Sequence, residues 1–342
     1  MDKGGLVPAV LKEYGETTRA LMFEYLPPRE PRRWLYDLAR EYPLRGGRSM
    51  RPTLCVATAR AFGASVEDAL PTAVSIELMH NAMLVHDDIQ DESELRRGKP
   101  ALHVTEGVPI AINTGDALYL LALRPLVDNR RRLGADLALR ILEETERMAV
   151  ASAEGQAMEL GWRRDNVCDV TEADYLKMVM CKTCWLATIH PLRVGALIGT
   201  RGRIDPEGFV RFGFLLGAAF QIQDDLLNLV GDGARYGKEL SGDIYEGKRT
   251  LMLIRLFELG TPDERARLQS MLGRPRADRT VEDVAWTRAL MDRYDCIEHA
   301  RKTAHALAGA ARHEREILFE DLHDSRDRRF LEALPEWVIE RA

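Results

Sequence analysis

The chain has 342 residues, of which 46% are hydrophobic and 30% charged, with a formal net charge of −6. That length allows a large core, the mild acidity leaves no electrostatic footprint for nucleic acid, and the acid excess is too small for a disordered tail. The five cysteines (Cys55, Cys168, Cys181, Cys184, Cys296) are scattered and odd in number, which predicts reduced thiols in a cytosol rather than a disulfide scaffold.

In chain order, the opening "MDKGGLVPAVLKEYGE" lacks a cationic segment followed by an apolar one, so no secretory leader is expected. Breaks then fall at "LPPREP", "YPLRGGRSMRP", "RRGKP", "DPEG", "VGDGARYGKELSGD", "GTPDE" and "GRPRAD". Between them apolar residues recur at three- and four-residue spacing, which predicts roughly ten to thirteen helices. Strand-like alternation is almost absent. In "DVTEADYLKMVMCKTCWLATIHPLRVGALIG", Tyr175, Val179, Trp185 and Ile189 repeat at helical spacing and Thr171 is placed to cap the start. The longest apolar run, Phe212 to Phe220, has half the length of a membrane crossing. Length alone favours two domains, but no Ser/Gly-rich linker divides the chain. The expectation is one all-α domain, residues 1–342, with no membrane span.

Two acidic turns stand out. In "ELMHNAMLVHDDIQDESELRRGKP", Asp87, Asp88 and Asp91 occupy i, i+1 and i+4, so on a helix Asp87 and Asp91 stack and Asp88 flanks them. In "FGFLLGAAFQIQDDLLNLVGD", Asp224, Asp225 and Asn228 repeat that spacing. A solvated acidic face would explain either turn by itself. Two such turns, each ending an apolar helical run and one followed by Arg96, Arg97 and Lys99, instead predict hard divalent cations sharing a polyphosphate between facing helices. The "CKTC" spacing of Cys181 and Cys184 has no second cysteine pair or histidine pair to complete a zinc site, so these read as core thiols. His86 reads as a hydrogen-bond partner of an Asp, and Trp185 and His190-Pro191 as core packing.

The ordered motifs "GGRSMRP", "DDIQD…RRGKP", "GQ", "KT", "FQIQDDLLN" and "GKELSGDIYEGKRT", from about Gly46 to Thr250, resemble the polyprenyl synthetase family of trans-isoprenyl diphosphate synthases, the geranylgeranyl-forming members most. The resemblance implies antiparallel helices around a deep central cavity, a homodimer, a cytoplasmic location and Mg²⁺, three ions per site. It implies that isopentenyl diphosphate is condensed with an allylic diphosphate (dimethylallyl, geranyl or farnesyl). Asp87, Asp88, Asp91, Asp224, Asp225 and Asn228 would hold metal, with Asn228 where many relatives carry Asp. Arg96, Lys182, Lys238 and Lys248 would bind the allylic diphosphate, and Asp243 would support the lysines. Gly46, Gly47, Arg48, Arg51, His80 and Arg97 would form the isopentenyl pocket, Arg48 standing where the family has Lys. Thr183 and Gln221 would face the reacting carbons, and Gln156 and Glu159 would lie behind them. The departing diphosphate itself would take the proton.

The same resemblance makes Ala82 and Met83 the chain-length positions. Met83 lies one turn, about 5.4 Å, below Asp87, and neither residue is a bulky aromatic, which points to geranylgeranyl diphosphate; farnesyl or longer products are the alternatives. A class I terpene cyclase would make Arg48, Arg51, His80 and Arg97 redundant, and a regulatory synthase subunit would have lost one acidic turn. The tail "RDRRFLEALPEWVIERA" reads as an amphipathic helix whose Arg328, Arg329 and Arg341 face solvent.

Overall fold

Helix α4 (Val66–Gln90) is the axis of the molecule. Ser65 caps it by accepting from the Asp68 amide at 3.1 Å. Its residues from Ala69 to Met79 are buried on nearly every face, as expected for a helix apolar all round. The computed structural model describes residues 3–230 and 241–340. Helices α1 (Lys3–Tyr25), α2 (Asp37–Leu44) and α3 (Met50–Ala61) precede α4. After it come a small hairpin of β1 (Leu95–Arg96) and β2 (Lys99–Pro100), then α5 (Leu102–Glu106), α6 (Val108–Asp128), α7 (Arg130–Leu133) and α8 (Ala135–Arg164). Helix α9 (Glu172–Val179) runs into a π-helical segment, Met180–Ile189, and on into α10 (His190–Gly199) and α11 (Phe209–Val230). The remainder is α12 (Gly242–Glu246), α13 (Leu251–Leu259), α14 (Pro262–Leu272), α15 (Val281–Arg293), α16 (Cys296–Leu318) and α17 (Arg326–Glu340).

The all-α reading holds, although short pieces such as α5, α7 and α12 make the helices more numerous than the breakpoints suggest. The hairpin, unforeseen, is the one strand pairing among the described residues. Its two-residue turn has Arg97 at φ 53° and Gly98 at φ 73°. Both signs suit the tight hairpin turn whose twist matches paired strands, so "RRGKP" aims Arg96 inward and turns the chain at Arg97.

Helix α4 packs on α3 and α6, α11 on α16 and the π-helical segment, and α8 on the other side of that segment. One set of buried apolar side chains runs from Val7 to Val338. The predicted cap is present: Thr171 and Asp174 exchange side-chain and backbone hydrogen bonds as a capping box on α9. Trp185 is buried beside the guanidinium groups of Arg147 and Arg193, which lie 4.8 and 5.6 Å from its ring centre. His190 is fully buried and hydrogen-bonds Thr145 at 3.1 Å. Cys184 is buried and all five cysteines are free.

On length and composition, Val108–Leu133 is apolar enough to cross a membrane, which the apolar-run count did not reveal. Ala111, Leu118, Ala122 and Leu126 of that stretch are packed into the core, while Ile112, Leu120, Leu123 and Val127 are exposed.

Burial holds two histidines neutral: His190, beside Arg193, falls to about 3, and His80, beside Arg51, to about 4. Their pKa values rise to about 6.5 on unfolding, so the stabilisation is complete above pH 6.5 and is lost as pH falls towards those lower values. At pH 5.5 each should cost about 1.4 kcal/mol. Urea unfolding at pH 7.5 and 5.5 is expected to show His190→Leu losing about 1.4 kcal/mol less stability over that interval than the wild type; an unchanged loss would contradict this account.

Candidate functional site

A cavity of about 600 Å³ opens between α4, α8, the π-helical segment and α11, and both acidic turns reach it. Asp87 lies in the last turn of α4 and Asp91 caps its end, the Asp91 amide donating to the Asp87 carbonyl at 2.8 Å. Asp224 and Asp225 come from the last two turns of α11, and Asp243 from α12. Arg51 lines this cavity together with the acids of both turns, so the turns face a common space.

The carboxylates of the first turn have separate fates. Asp91 is 2.6 Å from Arg163 on α8 and 2.9 Å from Lys248. Burial opposes its ionisation, but Lys248, Lys182 and Arg163 outweigh that cost and hold its pKa far below the carboxylate range. Among the described residues Asp87 has no ion pair of this kind: burial raises its pKa, Lys182 lowers it and Asp91 raises it, with a net upward shift. Asp88, about 100° around the helix from Asp87, turns out of the cavity. It is fully buried, grips Arg96 through both carboxylate oxygens and accepts from the Tyr42 hydroxyl at 2.5 Å. Tyr42 in turn accepts from the Leu102 amide at 3.1 Å.

The second turn is wired differently. Thr183 donates to the Gln221 amide oxygen at 2.9 Å, and the Gln221 nitrogen donates to Asp225 at 2.8 Å. The Tyr175 hydroxyl donates to the other Asp225 oxygen at 2.8 Å. Burial and the neighbouring Asp243 push the Asp225 pKa up, the two hydrogen bonds offsetting part of this. Asn228 lies outside the cavity lining; its side-chain and backbone oxygens accept from the Asp243 and Ser241 amides at 3.2 and 2.8 Å and so shape the start of α12.

Lys182 reaches Glu159, and Lys248 lies 2.5 Å from Glu246 and 3.6 Å from Asp243 as well as near Asp91. The cations are thus held inside the cavity by carboxylates that an anionic ligand could displace. Gln156 meets Gln90 at 2.5 Å at the rim. Lys238 falls outside the described residues. Among them, no three carboxylate, histidine or cysteine side chains are gathered into a ready metal nest.

Arg51 and His80 line the same cavity. Arg97 donates to the Tyr42 carbonyl at 3.1 Å and lies so close over Gly47 that a Cβ there would be 2.7 Å from its guanidinium. The Gly46–Ser49 loop permits this through positive φ at Gly46, Gly47 and Ser49. Arg48 lines a second cavity of about 480 Å³ on α1, with Lys12, Arg19 and Trp337. Met83 faces the main cavity, while Ala82 is buried in the core outside its lining. His86 meets an Asp, but on α6: Asp116, at 3.4 Å. Arg328 and Arg329 pair with Glu332 and Asp324, and neither lines the cavity; Arg341 lies outside the described residues.

Arg163, Tyr42, Tyr175, Glu246 and the buried Glu77, 3.6 Å from His80, were not anticipated. Each acts on a site residue remote in sequence or hidden in a helix whose pattern already explained it, so no local signal marked them.

The polyprenyl synthetase family model matches residues 32–291. A short chain isoprenyl diphosphate synthase of Methanothermobacter thermautotrophicus is 34% identical over 296 residues, covering 86% of this chain and 87% of that one. The crystal structure of geranylgeranyl pyrophosphate synthetase from Pyrococcus horikoshii superposes with a TM-score of 0.85 at 32% identity, covering 98% and 99% of the two chains. A polyprenyl synthase from Caulobacter crescentus, complexed with calcium and isoprenyl diphosphate, superposes with a TM-score of 0.83 at 26% identity, over 100% and 99%.

Asp87 and Asp88 should part company in stability measurements without added metal. Asp88→Ala strands Arg96 in the core and should cost about 3–5 kcal/mol, whereas Asp87→Ala removes a desolvated charge and should be neutral or stabilising. Equal losses in urea titrations of the two variants would refute the division.

Proposed function

Because this chain belongs to the polyprenyl synthetase family, we propose that it is a trans-prenyltransferase that condenses isopentenyl diphosphate with allylic diphosphates and ends at geranylgeranyl diphosphate. The observation that carries this reading is the convergence of two acidic turns and the cations Arg96, Lys182 and Lys248 on one cavity with apolar walls.

Mg²⁺ fits the donor set: hard carboxylate oxygens, few of them per turn, with room for phosphate oxygens to complete the shell. Asp87, Asp91, Asp224 and Asp225 would hold it, three ions in all, and bound there it neutralises the leaving diphosphate. Asp88 serves by fixing Arg96, and Asn228 by shaping the turn that carries Asp243. Lys182 and Lys248 exchange Glu159 and Asp91 for the allylic diphosphate, and with Arg96 they stabilise its negative charge as the allylic C–O bond breaks. Arg51, His80 and Arg97 hold isopentenyl diphosphate with its double bond towards the resulting cation, and Arg48 joins them only by turning from the second cavity. Thr183 and Gln221 offer their oxygens to the cation, and the apolar walls exclude water. After the new carbon–carbon bond forms, the released diphosphate takes the proton.

Chain length follows from Met83, which presents a flexible thioether to the cavity one turn below Asp87. Purified protein with Mg²⁺, isopentenyl diphosphate and farnesyl diphosphate is expected to release geranylgeranyl diphosphate as the main product and to stop when the metal is chelated. Met83→Ala should lengthen the products; farnesyl diphosphate as the sole end product would refute the assignment.

A homodimer is supported by the exposed apolar residues Ile112, Leu120, Leu123 and Val127 of α6 beside Leu139, Leu142 and Val150 of α8. Leu120, 69% exposed, is the probe: the wild type should sediment as a dimer and Leu120→Asp as a monomer, and a monomeric wild type would defeat the proposal. A cytoplasmic location agrees with the five free cysteines.

A further inference from the structure

The π-helical segment Met180–Ile189 carries Lys182 and Thr183, and the helices on either side of it approach through glycines. On α8, a Cβ added to Gly155 would overlap the backbone nitrogen of Lys182 and lie 2.7 Å from its Cα. On α11, a Cβ at Gly213 would be 2.9 Å from the Ile189 Cα, and one at Gly217 would be 2.8 Å from the Cys184 Sγ. Real side chains do not pack at such distances, so at these points there is room for nothing but hydrogen. Thr188 ties the segment further, its hydroxyl donating to the Gly213 carbonyl at 2.6 Å and lying 3.0 Å from the Cys184 carbonyl. Gly161, also on α8, has no atom within 4 Å of where its Cβ would be. Helical permissiveness therefore does not explain Gly155, since glycine weakens a helix at either position. Close approach of backbones does.

The contact is aimed at a functional side chain. Glu159, which receives the Lys182 ammonium, stands four residues after Gly155 and so on the same face of α8. One residue sets how near the Lys182 backbone comes to α8, and the other receives the end of its side chain. Thr183, the next residue, reaches across to Gln221 on α11. The wide π turn thus presents two consecutive side chains to the cavity: its height above α8 decides where Lys182 ends, while Thr183 is held from α11 by Gln221.

We propose that Gly155 is a positioning residue: by letting the Lys182 backbone rest against α8, it sets the reach of the Lys182 ammonium to the allylic diphosphate. This rests on the function proposed above. A methyl group at position 155 must lift the segment or push α8 away, because a close-packed interior offers no slack. Displacing a substrate-orienting group by about 1 Å costs on the order of 10²-fold in rate. The loss should fall on the allylic substrate, because Arg51, His80 and Arg97 lie on α3, α4 and the hairpin turn.

The test measures steady-state kinetics of the full-length chain with both substrates varied. The variants are Gly155→Ala, Gly161→Ala, Lys182→Ala and the pairs Gly155→Ala/Lys182→Ala and Gly155→Ala/Lys182→Arg. Gly161→Ala is expected to keep wild-type kinetics. Gly155→Ala should lower kcat/KM for the allylic substrate about 10²-fold while leaving KM for isopentenyl diphosphate within twofold. Added to Lys182→Ala it should cost less than a further threefold, because the group it positions is gone. Gly155→Ala/Lys182→Arg, whose longer side chain can regain the lost reach, should recover part of the activity. Losses that multiply in the double variant, equal rises in both KM values, wild-type kinetics for Gly155→Ala, or its failure to fold would each overturn the inference. Absence of turnover in the wild type would instead refute the underlying function.

Discussion

Asp91 joins three parts of the chain that sequence keeps far apart. Its backbone amide closes α4, while its carboxylate meets Arg163 near the end of α8 and Lys248 just before α13. Burying these charges is costly, and their mutual attraction repays the cost only while every partner is present. The cavity mouth is therefore a balanced lattice of charge. Lys248 and Lys182 are held by carboxylates instead of being left bare, and the site is assembled before any phosphate arrives.

The same economy explains why neighbouring acids differ so much. Asp87 and Asp88 are adjacent in sequence, yet the helical rotation between them sends one into the cavity and the other into the core. Asp87 keeps an ionisation cost that nearby cations relieve only in part. Asp88 serves as the anchor for Arg96. On α11, Asp224 and Asp225 both line the cavity, but Tyr175 and Gln221 constrain Asp225. Charge-bearing residues thus divide between facing the cavity and being tied to other side chains.

Apolar packing sets the frame in which those charges operate. Helix α4 can carry acids to its end because the preceding turns are buried on nearly all sides. The π-helical segment can present Lys182 and Thr183 together because glycines on α8 and α11 let it settle between them. Trp185, His190 and Pro191 complete the far side of that segment as core, so the residues that look most unusual in the sequence stabilise the scaffold and leave the cavity to smaller and more flexible side chains.

Much of this was legible in the sequence. Helical periodicity, the two acidic turns and the cations beside them are local patterns, and local spacing determines which side chains share a helical face. The hairpin of "RRGKP" was not legible as strand because two-residue strands carry no alternation. The sequence by itself determined an all-helical chain, the helix ends that bear the acids and the chemistry that those acids favour. Only the tertiary structure decided that Asp88 faces Arg96, that Asn228 holds a backbone turn, that Arg48 lines a separate cavity and that Arg163 completes the mouth. The reason is physical: a side chain's residue type and helical angle are local, but which charge it meets depends on how distant helices pack.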